Sequence, residues 1–134
     1  MPEVVVILGL PGSGKTMYAQ DYYEYYHKFD DPSRCDITFY MMCEAIKAKK
    51  NVVVTDIPTS LELITRRIKE CNKQVKIKFV FFENNLRQCI INNRERFSSE
   101  FGKKVTDWTI TTMSKDYKNI LPEDVEAVPV YVSA

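Results

Sequence analysis

Directly behind the apolar run VVVIL, positions 4–8, stands GLPGSGKT, positions 9–16. Its spacing is Gly-x-x-x-x-Gly-Lys-Thr, with Gly9, Gly14, Lys15 and Thr16 at the fixed positions. Glycines allow a tight backbone turn that aims several N–H groups inward, where an anion can sit. A helix opening at the end of the loop adds partial positive charge at the same place. Lys15 can reach the β- and γ-phosphates of a nucleoside triphosphate, and the Thr16 hydroxyl can ligate magnesium. Gly9, Pro11, Gly12, Ser13, Gly14, Lys15 and Thr16 are therefore the expected cradle for the phosphates of ATP, with Mg2+ at Thr16. Magnesium takes hard oxygen ligands, and ligands of open α/β sheets gather at the carboxyl ends of the strands. Asp56, which closes the apolar run NVVVTD, is the expected acidic partner of Thr16. An aspartate before Ile-Pro-Thr-Ser can equally serve a turn or cap a helix. Taken alone, the loop holds a phosphate. Passing it on requires a base and an acceptor clamp.

These residues need strands and helices to position them. VVVIL is continuous and β-branched, the pattern of a strand buried on both faces. GKTMYAQDYYEYYHK reads as a helix opening near Gly14 or Lys15, and FDDPSR breaks it. Tyr22, Tyr23, Tyr25 and Tyr26 are expected on that helix, packing mainly against the sheet, with His27 near its end. DITFYMMCEAIKAKK is a second helix, with Asp36 available as its N-cap and Phe39, Met42, Cys43 and Ile46 on one face. NVVVTD is a buried strand. TSLELITRRIKEC follows as a helix in which Thr59 and Glu62 can form a capping box. VKIKFVFFE is a strand, NLRQCIINNRERF and TDWTITTMSKDYK are helices, and AVPVYVSA is a final strand. Trp108 is expected to anchor one helix against another. Between Lys28 and Asp36 only HKFDD offers a strand, and a very short one. Strands alternating with helices over 134 residues imply a single domain, 1–134, folded as a three-layer α/β/α sandwich with a mostly parallel sheet.

Composition narrows the function classes. Hydrophobic residues make up 45% and charged residues 28%, ordinary for a globular protein, and the net charge is +1. No charge block dominates, so contact with nucleic acid is confined to a short stretch. Four cysteines without a CxxC pair, beside one histidine, argue against zinc and for free thiols in a reducing compartment. The apolar start is too short to span a membrane and lacks a basic leader, so a cytoplasmic protein is expected, in the host cytoplasm if its source is viral.

GLPGSGKT resembles the phosphate loop of the small P-loop kinases, and the chain from Val4 to about Tyr117 is most similar to the 5′-kinase domains of phage polynucleotide kinases. That resemblance implies a P-loop NTPase fold of the nucleoside monophosphate kinase-like type. It also implies ATP as donor, and an acceptor hydroxyl at a nucleic-acid 5′ end. In DPSR it implies that Asp31 takes the proton from the attacking hydroxyl and that Arg34 grips the acceptor's phosphate. Chemistry asks for such a pair: the nucleophile needs a base within hydrogen-bond reach, and a planar guanidinium suits a phosphate. Asp30 is an alternative base, and Asp-Asp-Pro-Ser also makes a polar turn readily. In FVFFENNLRQCIINNRERF, Arg96 matches the family's lid arginine and Asn93 a neighbouring asparagine. Asn92 stands where the family often has another arginine, with Arg94 as its possible substitute. The stretch between Arg34 and Asp56 is shorter than in the family, so acceptor recognition is reduced or different. Two further readings stay open: a kinase of nucleosides, nucleotides or other small molecules, and a nucleotide-binding switch that transfers nothing.

Overall fold

The computed structural model describes residues 2–97 and 105–132, with the side chains of all of these but 96 and 97. Among the described residues four strands form one parallel sheet: β1 (Glu3–Leu8), β2 (His27–Asp30), β3 (Val52–Asp56) and β4 (Lys76–Phe81), in the order β2-β3-β1-β4. The helices are α1 (Lys15–Tyr22), α2 (Asp36–Lys47), α3 (Leu61–Cys71), α4 (Leu86–Phe97) and α5 (Asp107–Ile120). This is the expected α/β/α arrangement.

The period-2 alternation of a strand divides β1 between two cores. Val4, Val6 and Leu8 face the larger one, with Met42 and Ile46 of α2, Ile64 and Ile68 of α3, Cys89 of α4, and Ile110 and Tyr117 of α5. Val5 and Ile7 face the smaller one, with Ala19 of α1, Val53, Val80 and Phe82. Tyr18, Tyr23, Tyr26 and Tyr131 complete that second layer. All of Val4 to Leu8 is inaccessible to solvent, so the strand that feeds the glycine loop is rigid on both faces.

Several local expectations are corrected. The first helix ends at Tyr22 instead of running to Lys28, because residues 27–30 pair with Val52–Thr55 as β2. Tyr23 and Tyr26 turn back onto the sheet, ring against ring at 5.1 Å, while Tyr22 and Tyr25 stay exposed. His27 thus opens a strand rather than closing a helix. The capping box at Thr59 does not form: Pro58–Ser60 is a 3-10 turn and Ser60 occupies the cap of α3. Cys35, not Asp36, caps α2. Among the described residues the final strand reduces to one parallel bridge, Phe82 to Val128, since Pro129 has no N–H for a ladder. Trp108 is 76% exposed rather than an anchor, because Ile110, Ser114 and Tyr117 form the inward stripe of α5.

Candidate active site

Leu8 ends β1 in register with Asp56, the last residue of β3, so the loop from Gly9 to Gly14 starts level with that aspartate. The Gly9 N–H points at the Asp56 carbonyl, 3.4 Å away. Gly12 and Gly14 have φ of 87° and 100°, in the left-handed region where a side chain is strained. Packing demands glycine there as well. A Cβ on Gly12 would lie 2.5 Å from the Cys89 carbonyl oxygen, and one on Gly14 would lie 2.7 Å from the Tyr131 ring. α1 opens immediately after Gly14 and directs its first N–H groups toward the loop.

Inside the loop, Ser13 is fully buried and its hydroxyl has no hydrogen-bond partner among the described residues. An orphaned buried hydroxyl beside the N–H groups of a helix start suits a phosphate oxygen. The Lys15 ammonium donates to the carbonyls of Gly9 at 2.8 Å and Leu10 at 3.0 Å, which holds it across the loop. Thr16 is exposed, and its hydroxyl donates to Asp30 Oδ1 at 3.4 Å. The same carboxylate oxygen accepts the Thr55 hydroxyl. A hydroxyl and a carboxylate at the mouth of the loop are hard donors that fit magnesium.

Asp30 and Asp31 are neighbours with different surroundings. Asp31 sits at φ 49°, ψ 49°, an unusual conformation for a residue with a side chain. Its N–H donates to the Thr55 carbonyl at 2.7 Å, and its own carbonyl accepts the Arg34 N–H at 3.0 Å. This closes the 3-10 turn Pro32–Arg34. Asp31 is half-buried, and burial pushes its carboxyl above the usual carboxylate range. The Lys15 ammonium opposes that shift, Asp56 adds to it, Arg34 opposes it and Asp30 adds to it. One carboxyl therefore senses the loop lysine, the turn arginine and two more acids at once. Arg34 is exposed at the far end of the turn.

Asp56 reaches the carboxyl edge as expected, and its side chain is engaged by the Asp31–Arg34 turn. It is fully buried and accepts three hydrogen bonds: Ser33 N–H at 3.0 Å, Ser33 Oγ at 2.7 Å and Ile57 N–H at 2.8 Å. The carboxylate that the structure brings to Thr16 belongs to Asp30.

α4 forms the other wall. Asn92 is buried and donates from Nδ2 to the Gly12 carbonyl at 2.9 Å and to the Tyr131 carbonyl. Its Oδ1 accepts from Gln88 at 2.9 Å. Tyr131 N–H donates to the Ser13 carbonyl, and its hydroxyl to Asp21. The residue that departs from the family's arginine thus ties the phosphate loop, α4 and the 128–132 segment together. Asn93 donates to the Val105 carbonyl at 2.7 Å, and Arg94 pairs with Asp107 at the start of α5. Arg96 belongs to α4, but its side chain lies outside the described residues.

Sequence reasoning missed Ser33, Tyr131 and the bridging part of Asn92. Only Asn92 carried a signal: a polar residue one turn on from Cys89, on the inward side of a helix, needs buried partners. Nothing local marks Tyr131, whose contacts with Ser13 and Asp21 are more than a hundred residues away in sequence.

No protein-family model matches this chain, and no curated protein matches it in sequence. Solved structures do match. A chain of the Pnkp1/Rnl/Hen1 RNA repair complex superposes with a TM-score of 0.68 at 16% identity, over 99% of this chain and 50% of that one. A gluconokinase from Sinorhizobium meliloti 1021 superposes with a TM-score of 0.57 at 17% identity, over 99% of this chain and 84% of that one. This chain therefore spans half the length of the first. At such identities the likeness is one of architecture: an α/β fold with a parallel sheet.

Proposed function

We propose that this chain is an ATP-dependent kinase that passes the γ-phosphate to a hydroxyl, most fittingly the 5′-hydroxyl end of a polynucleotide. The observation that carries the reading is the placing of Asp31: a half-buried carboxyl, pushed upward by burial, within electrostatic reach of both Lys15 and Arg34. Asp31 accepts the proton as the acceptor oxygen closes on phosphorus. Arg34, one turn further on and exposed, meets the acceptor's own phosphate with its planar fork. Lys15, at the loop, neutralises charge on the β- and γ-phosphates. Thr16 and Asp30 would hold Mg2+, which when bound draws charge off the phosphate oxygens. Asp56, assigned to the metal from sequence, supports the Asp31 turn instead. Arg96 keeps the lid part that the resemblance implies, stabilising charge on the transferring group. Arg94 would have to leave Asp107 to share it.

The likeness to a chain of an RNA repair complex supports a nucleic-acid acceptor. The likeness to a gluconokinase, which is covered more fully, supports the second reading, a small-molecule acceptor. The test is incubation with labelled ATP and magnesium, with a 5′-hydroxyl oligonucleotide and, in parallel, a panel of nucleosides, nucleotides and sugar acids. Label on the oligonucleotide, absent in Lys15→Ala and in Asp31→Asn, is expected. Label on a small molecule alone would replace the acceptor, and tight ATP binding with no transfer at all would replace the enzyme by a switch. Full activity in Asp31→Asn would remove the base.

A further inference from the structure

Asp56 lies where the two halves of the site meet. Its main-chain carbonyl faces the Gly9 N–H at the entrance to the phosphate loop. Its side chain accepts from Ser33, in the middle of the turn that runs from Asp31 to Arg34. Both carboxylate oxygens are used: Oδ2 by the Ser33 N–H, Oδ1 by the Ser33 hydroxyl and the Ile57 N–H. The residue is wholly shielded from solvent and Ser33 is half-buried, so water competes less for these bonds than for exposed ones.

The turn needs such an anchor. Asp31 is held in a left-handed conformation that a residue with a Cβ adopts only when its surroundings insist. Pro32 is buried but donates nothing, and Arg34 is exposed. Between them, Ser33 gives Asp56 both a side-chain and a main-chain donor. β3 is also the strand between β1 and β2, paired along its whole length with the first and over Val52–Thr55 with the second, so Asp56 ends a strand that is held on both edges.

We propose that Asp56 is the positioning residue of the acceptor half: through Ser33 it fixes the Asp31–Arg34 turn at a set distance from the phosphate loop. This rests on the reading of Asp31 as base. It separates Asp56 from metal binding, which falls to Thr16 and Asp30. A donor cradle and an acceptor base indexed on one residue keep the reacting atoms in line, and misplacement of about 1 Å costs about 100-fold in rate.

Asp56→Asn tests it. The amide can keep the Ile57 and Ser33 hydroxyl bonds through its oxygen, but its NH2 confronts the Ser33 N–H, so the turn loses its main-chain anchor. Turnover of the acceptor should fall by about 100-fold, with the KM for ATP and the magnesium requirement unchanged. The Ser33 amide should lose protection against hydrogen exchange. Ser33→Ala should lose part of the same turnover, and Ser33→Thr, which keeps the hydroxyl, should restore it. A raised magnesium requirement, with turnover recovered by excess metal, would overturn the proposal and return Asp56 to the metal. Unchanged Ser33 protection, or wild-type turnover in Ser33→Ala, would overturn it too. If Asp56→Asn does not fold, the Ser33 pair decides alone. Failure of the wild-type protein to phosphorylate any acceptor strikes the kinase reading. The exchange measurement still judges whether Asp56 holds the turn.

Discussion

Replacing Asn92 with Ala should cost this protein both stability and its grip on nucleotide. The side chain donates to two carbonyls, one at Gly12 in the phosphate loop and one at Tyr131 in the segment that flanks it. A net hydrogen bond contributes about 0.5–1.5 kcal/mol, and a buried acceptor left without a donor costs about 1–3 kcal/mol. The Gly12 bond is buried, so its loss belongs near about 2 kcal/mol, while water can reach the Tyr131 side, for about 1 kcal/mol. The total is about 3 kcal/mol. With an unfolding entropy of about 2.1 cal/mol/K per residue, or about 0.28 kcal/mol/K for this chain, the melting temperature should drop by about 11 °C. The damage is not spread evenly. Gly12 and Tyr131 both border the loop, so the ATP dissociation constant should rise further than the lost stability alone requires. Asn92→Asp is the sharper variant: it keeps the acceptor for Gln88 but sets a carboxylate against two carbonyls, and should be worse than Ala above the carboxyl's pKa. Circular dichroism melts give the first quantity and titration calorimetry with ATP the second. A melting temperature within about 2 °C of wild type in Asn92→Ala (under about 0.6 kcal/mol) would refute the bridging role.

Gly12→Ala and Gly14→Ala should both destabilise the fold, since the first Cβ meets the Cys89 carbonyl oxygen of α4 and the second meets Cβ and Cγ of Tyr131; urea midpoints would measure both, and a wild-type midpoint in either would count against the packing. Asp31→Asn should melt higher than wild type at neutral pH while losing transfer. A carboxyl whose folded pKa is raised above its unfolded value weakens the fold once ionised, and that penalty fades as pH falls through the folded pKa. On the proposed kinase reading, the acid limb of kcat/KM of the wild-type protein should therefore lie above the ordinary aspartate range of about 3.9. Of the thiols, exposed Cys35 should alkylate first at pH of about 8, because the Thr38 hydroxyl and N–H favour its thiolate. Burial pushes Cys89 up to about 11 and Cys71 up to about 12, so both should stay unlabelled until the protein unfolds, as mass spectrometry can follow.

Much of this was legible because it is local. A β-branched run before a glycine-rich loop marks β1 and the cradle whatever the rest of the chain does, and the apolar stripes of α2 and α3 follow from their helical spacing. β2 was barely legible because three of its four side chains are exposed and its strand exists only through pairing with β3. The division of labour among the acids was not legible for a similar reason. Asp30 is the last residue of a strand and Asp31 the first of a left-handed turn, so their carboxylates point to different neighbours. Asp56 stands at the strand end where the sequence put it, but its bonds to Ser33 were not legible, since only the folded turn supplies Ser33.

The glycines of the loop show how function and fold can ask for the same residue. The proposed phosphate binding asks Gly12 and Gly14 to open the backbone, and the packing asks for glycine at both positions independently. Gly12 must be small because the Cys89 carbonyl is there, and Gly14 because the Tyr131 ring is there. Cys89 comes from the same helix as Asn92, and Tyr131 is the residue whose carbonyl Asn92 holds. The cradle is thus pressed from both sides by groups that are linked to each other. On the opposite side, the Asp56 carbonyl and carboxylate tie the loop's entrance to the base turn. A loop fixed on both flanks is held in place relative to Asp31, and on the proposed kinase reading a chain whose net charge is only +1 relies on that geometry, rather than on a broad electrostatic field, to bring donor and acceptor together.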